Sequence, residues 1–184
     1  MKHLSAILIA ILLLSACKKE PQKPEEEVIH LGDAAALKNG EVWPAKTSGK
    51  YFYTDPSKFS LLIENYNADG YRRGSLHFRG MPFKNGKFFF NIFQYELPSA
   101  NDTIQTCTFD SVLADGDVAG DAYQLIQDSA AWLTVRITDA STGDIEGEFS
   151  GTFVKWLYLG IEYDPSSPDT IVFTNGTYNA RVQK

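Results

Sequence analysis

Histidine and cysteine are scarce in this chain of 184 residues, which holds three of the first and two of the second. No His-x-x-x-His spacing and no close cysteine pair occurs, which removes the usual zinc sites. A hydrolytic triad is also unsupported, because no Gly-x-Ser-x-Gly turn is present to raise a nucleophile beside a base. Basic runs are lacking too. With 17 Lys+Arg against 23 Asp+Glu, the net charge of −6 argues against nucleic acid as a partner. Finally, the longest apolar run is short. Leu4 to Leu14 spans eleven residues, well below the ~20 that a helix needs to cross a bilayer.

That short run sits in a telling place. Lys2 and His3 precede it, and the small residues Ser15 and Ala16 follow it, immediately before Cys17. Basic start, apolar middle and small-residue end are the three parts of a secretory signal peptide, so residues 1–16 are expected to be removed. The Leu14-Ser15-Ala16-Cys17 stretch resembles the lipobox of bacterial lipoproteins. The resemblance implies that the Cys17 thiol is diacylglycerylated before cleavage. One acyl chain holds a protein only marginally, at ~0.8 kcal/mol per buried methylene, so the two chains of a diacylglyceryl group matter.

Removing residues 1–16 leaves 16 basic against 23 acidic residues, a net charge of −7. Attraction to anionic lipid is therefore not expected, and the lipid alone would hold the protein to a membrane. Residues 17–29 form the modified cysteine and a polar, Pro-containing tether with little to bury. The flexible start extends to His30 in this reading. The Cys17-Lys18-Lys19-Glu20 opening resembles the export signal of Bacteroidota lipoproteins displayed at the outer membrane surface. With Cys17 consumed, Cys107 has no disulfide partner and reads as a buried, inert thiol in a strand.

Residues 30–184 are expected to form one all-β domain, an antiparallel sandwich-like or barrel-like sheet. Phe59 to Asn65 reads as a strand that turns at Asn67-Ala68-Asp69-Gly70 and pairs with Gly74 to Arg79. Asn85-Gly86 and Asn175-Gly176 each read as the turn of a hairpin, since both residue types tolerate positive φ. Phe88 to Leu97 is apolar on both faces (Phe88, Phe90 and Ile92 against Phe89, Phe93 and Tyr95), so it either is covered on both sides or presents rings to a ligand, and a central, doubly covered strand is preferred. Trp132 to Thr138 and Ile145 to Phe153 alternate with period two, so Leu133, Val135, Ile137, Ile145, Phe149 and Phe153 are expected inside. Asp33 to Lys38 allows either a short helix or a strand turning at Asn39-Gly40, and the hairpin is preferred.

Several of these stretches share a further likeness. Asn39-Gly40-Glu41-Val42-Trp43, Ile145-Glu146-Gly147-Glu148-Phe149-Ser150-Gly151-Thr152-Phe153 and Ile171-Val172-Phe173-Thr174-Asn175-Gly176-Thr177-Tyr178 are similar to motifs of small Bacteroidota lipoproteins. The resemblance implies a compact all-β domain and assigns no activity, because the motifs are packing and turn positions.

Three groups of residues carry candidate chemistry. Asp115, Asp117 and Asp121 lie in a glycine-containing stretch whose hard oxygens suit calcium, but the spacing departs from the EF-hand loop and an acidic, solvated turn is the preferred reading. Trp156, Tyr158 and Tyr163 flank a Gly/Pro-rich loop and are the candidate ligand-binding residues, placed to stack on a sugar or meet a protein, with closure of one end of the core as the preferred alternative. Asp-Ser/Thr-aliphatic triplets at Asp102, Asp110, Asp128 and Asp169 resemble the O-glycosylation sites of exported Bacteroidota proteins. No catalytic residue and no cofactor is expected. The functional expectation is a lipid-anchored, non-enzymatic protein of the cell envelope and outer membrane that binds a protein or glycan. The alternative is a glycan hydrolase working through a carboxylate pair.

Overall fold

The computed structural model describes residues 30–90, 105–114, 118–125, 131–157 and 162–183. The signal segment, Cys17 and the tether lie outside them. All described regular structure is β, in ten strands joined into a single sheet. They are β1 (Gly32–Lys38), β2 (Glu41–Tyr51), β3 (Lys58–Tyr66), β4 (Arg72–Pro82), β5 (Gly86–Phe90), β6 (Thr106–Val112), β7 (Ala119–Leu125), β8 (Ala131–Asp139), β9 (Asp144–Trp156) and β10 (Thr170–Gln183).

The sheet closes into a ring. Neighbours run β1–β2–β3–β4–β6–β7–β9–β10, and β10 pairs with β1 again. Strand β9 is long enough to serve two partners. Its Asp144–Ser150 part pairs with β8, and its Phe153–Trp156 part pairs with β7. Strand β5 then adds to β8. Pairing is antiparallel, except for a short parallel contact of Val182 and Gln183 with Gly49 and Lys50.

Local chemistry explains the turns. Asn39 and Gly40 take φ of 52° and 86°, and Lys38 opposes Glu41, so β1 and β2 form the expected two-residue hairpin. Gly70, at φ 85°, closes the β3–β4 turn, where the Asn67 side chain accepts the Tyr71 N–H at 2.8 Å.

Two turn expectations are corrected. Asn85-Gly86 does not join paired strands: β4 lies between β3 and β6, while β5 crosses to β8. The Asn85 carboxamide accepts the Ile137 N–H of β8 at 2.7 Å, which fastens the crossing. Asn175-Gly176 is a bulge inside one continuous strand. Phe173 opposes Gly151 and Gly176 opposes Phe149, so one extra residue is accommodated, with Asn175 at φ 54°. A Cβ on Gly176 would sit 2.7 Å from the Phe149 ring, so the glycine answers to packing.

The central-strand expectation for Phe88 to Leu97 is corrected as well. Its described part, β5, pairs only with β8 among the described residues, and Phe89 is 61% exposed. The Lys87 ammonium covers the neighbouring Trp132 ring at 3.7 Å. Ile92, Phe93 and Tyr95 lie outside the described residues.

Inside the ring, the inward rows pack on Phe173. Its ring centroid lies 4.9 Å from Trp43, 5.3 Å from Phe109, 6.0 Å from Phe153 and 6.3 Å from Phe149. Leu133, Val135, Ile145, Phe149 and Phe153 are buried as the alternation required, and Ile137 is partly buried against them. Strand direction gives the ring two distinct ends. The β1–β2, β3–β4, β6–β7 and β9–β10 connections all emerge at one of them.

Candidate functional site

That end is where the candidate residues meet. Strand β9 alternates inward as Ile145, Phe149 and Phe153, and the next inward position is Lys155. Strand β7 places Tyr123 and Leu125 inward, and the inward position before them is Asp121. Antiparallel pairing sets Tyr123 opposite Lys155, which brings the two charges together at the rim of an apolar interior. The Lys155 side chain is 4% exposed and that of Asp121 1%, with Nζ 3.5 Å from Oδ2.

A lysine so enclosed requires acceptors. The β9–β10 connection supplies them: Glu162 Oε1 at 2.6 Å, the Ser167 carbonyl at 2.8 Å and the Asp164 carbonyl at 3.3 Å. The Asp121 carboxylate in turn accepts the Tyr163 N–H at 2.8 Å through Oδ1. Tyr123 donates its hydroxyl to the Pro168 carbonyl at 2.9 Å. Asp164 folds the loop on itself by accepting from Ser166 and Ser167, and these hydrogen bonds hold its carboxyl below the usual range. For Lys155, the Glu162 hydrogen bond and the nearby Asp121 charge push the ammonium's pKa up, against the opposing effect of burial. Together these contacts latch residues 162–169 onto β7 and β9.

The latch relocates one expectation and explains another. Asp121 belongs to strand β7, not to an acidic loop, and the Lys155 ammonium already stands beside its carboxylate. Asp115 and Asp117 lie outside the described residues. Among the described residues, no three His, Cys, Asp or Glu side chains come close enough together to hold a metal. Tyr163 is 51% exposed and held by its backbone on Asp121, while Trp156 ends β9, half-buried, opposite Ala122. The two therefore share one end of the ring, and Tyr158 lies outside the described residues. Sequence reasoning missed Lys155 altogether. The available signal was a charged residue continuing an inward row.

Other exposed apolar side chains join Tyr163 there. Val42 borders the β1–β2 turn and Tyr71 the β3–β4 turn. Val118 comes from the β6–β7 connection and Leu157 from the start of the β9–β10 connection. Of seven large hydrophobic residues exposed in the described structure, only Tyr53 and Phe89 lie elsewhere.

Near the same end, on the outer face of β3, Glu64 is buried at 1% exposure. Arg72 donates to it at 3.1 Å and the Tyr66 hydroxyl at 3.0 Å. With its proton directed to Glu64, the Tyr66 oxygen accepts from His30 Nε2 at 2.9 Å. Burial, then the Glu64 charge, pushes the Tyr66 phenol up to about 12. His30 is thus docked on the sheet, which corrects its placement in a flexible start. His77 lies partly buried on β4, and Cys107 is buried with its thiol pushed well up by desolvation. Among the glycosylation-like triplets, the Ser111 hydroxyl is engaged with the Asp121 carbonyl at 3.0 Å, whereas Thr170 is exposed. Those at Asp102 and Asp128 lie outside the described residues.

No protein-family model, curated protein or solved structure matches the chain.

Proposed function

We propose that this protein is a lipid-anchored component of the bacterial cell envelope, with a binding or structural role carried by its β ring. The reading rests on one observation: Leu14-Ser15-Ala16-Cys17 closes an apolar run of signal-peptide length and is followed at once by a polar stretch. In this reading residues 1–16 direct export, Cys17 carries the lipid, and residues 18–29 tether the domain to the outer membrane.

Among the described residues, the buried carboxylates are held in ion pairs, an arrangement that suits a binding or structural role. Glu64 is tied to Arg72 and Asp121 to Lys155, each as part of a structural pair. Glycan hydrolysis uses two carboxyl groups facing one another across a cleft, about 5–9 Å apart. The apolar end of the ring, fixed by the Lys155 latch and including Tyr163 and Trp156, is the interaction surface.

Expression of the full chain and of Cys17→Ala in a bacterial host tests the anchor. The wild type is expected in the detergent phase after phase partition, labelled by radioactive palmitate, and the variant unlabelled in the aqueous phase. Equal partition and equal labelling would overturn the reading.

A further inference from the structure

Four separate connections bring exposed apolar side chains to the same end of the ring: Val42, Tyr71, Val118, Leu157 and Tyr163. Tyr71 and Tyr163 each pair an apolar ring with a hydroxyl, the combination favoured at a membrane–water boundary. The charges around them are of both signs. Glu41, Asp69, Asp164 and Asp169 stand near these connections together with Lys38, Arg72 and Arg73, so this end has no strong attraction to an anionic surface and suits a neutral one.

The chain's own beginning leaves this end within reach of a membrane. His30 is held on the Tyr66 hydroxyl, where β3 ends beside the Tyr71 turn. Twelve residues, 18–29, separate it from Cys17. At ~3.1 Å per extended residue they reach at most ~40 Å. A lipid on Cys17 therefore keeps the whole ring, this end included, within reach of the bilayer, where weak contacts act at high effective concentration.

We infer that the Tyr71–Tyr163 end of the ring lies on the neutral lipid surface that holds the Cys17 anchor, so that the anchored domain has a fixed orientation. This rests on the anchoring proposed above and adds which end faces the membrane. The 52–57 connection, at the opposite end, then projects away from it.

The test uses full-length lipidated protein in vesicles of phosphatidylcholine and phosphatidylethanolamine containing a doxyl-labelled lipid. One fluorophore is placed through Asp69→Cys, beside Tyr71, and another, in a separate variant, through Thr54→Cys at the far end. Buried Cys107 and acylated Cys17 leave the new thiol as the site of labelling. Quenching several-fold stronger at position 69 than at 54 is expected. It should disappear in Tyr71→Ser/Leu157→Ser/Tyr163→Ser protein that still sediments with vesicles. Sedimentation is read first. Protein that does not sediment overturns the anchoring and the orientation together. Protein that sediments with both labels equally quenched, or unquenched, overturns the orientation alone, whether a glycan or another protein then proves to occupy that end.

Discussion

Replacing Lys155 by methionine should destabilise the domain by about 3–5 kcal/mol, the usual cost of leaving one partner of a buried pair alone. The magnitude follows from the geometry. At 3.5 Å from Asp121, the gross attraction is about 5 kcal/mol at an effective dielectric of about 20. While both charges are present this attraction offsets much of their desolvation; once Lys155 is removed the attraction is gone and the desolvation of Asp121 remains. Methionine keeps the length of the stem and leaves Asp121, 1% exposed, with an unpaired charge. Glu162 is 38% exposed and falls back on water, so it adds little. For a domain of this size, such a loss lowers Tm by roughly 10 °C. Urea denaturation followed by tryptophan fluorescence gives the free energy, and amide exchange at Tyr163 reports the loop directly. Asp121→Asn in the Lys155→Met background retains an acceptor for the Tyr163 N–H and removes the stranded charge. The double variant should therefore lose less than the two single losses added together. A loss below about 1 kcal/mol for Lys155→Met, or strictly additive losses, would refute the latch.

Other expectations follow from single positions. Gly147→Ala drives a Cβ into the Thr134 carbonyl oxygen of β8 and to 2.9 Å from the Tyr178 ring, so denaturation should show a loss of about 1–3 kcal/mol. Gly40→Ala meets nothing within 4 Å and is strained only by its φ of 86°, for about 1 kcal/mol; an equal or reversed order would contradict this packing. Cys107 should not react with a disulfide exchange reagent in the folded protein and should react on unfolding, and rapid native labelling would show that it is not enclosed. Burial, then the Arg79 charge, depresses the pKa of His77 below its ordinary 6.5. The folded chain therefore resists a proton that the unfolded chain accepts, so stability falls as pH drops below about 6.5 and is unaffected above about 7.5. The urea midpoint of His77→Gln should fall less over this range, and parallel pH profiles would refute the assignment.

The fold was legible where local chemistry decides the local outcome. Period-two rows correctly placed Leu133, Val135, Ile145, Phe149 and Phe153 inside. Asn-Gly pairs were legible only as backbone conformations. Asn39-Gly40 turns because its neighbours pair with each other. Asn85-Gly86 leads to β8, a partner far along the chain, and Asn175-Gly176 is absorbed as a bulge against Phe149. A dipeptide carries a preference for φ and no record of which strand waits beyond it. The candidate site was legible in pieces. Asp121, Trp156 and Tyr163 were each visible as unusual residues, but their convergence depends on the β7–β9 register. Lys155 acquires its role only when a strand 30 residues earlier and a loop after it close around the ammonium.

The most direct measurement is mass spectrometry of the N-terminal peptide of protein isolated from its native membrane. The expected peptide begins at Cys17 and carries a diacylglyceryl group, with residues 1–16 absent. A peptide that retains Met1, or one that begins at or after Cys17 without lipid, would contradict the anchored envelope protein proposed here.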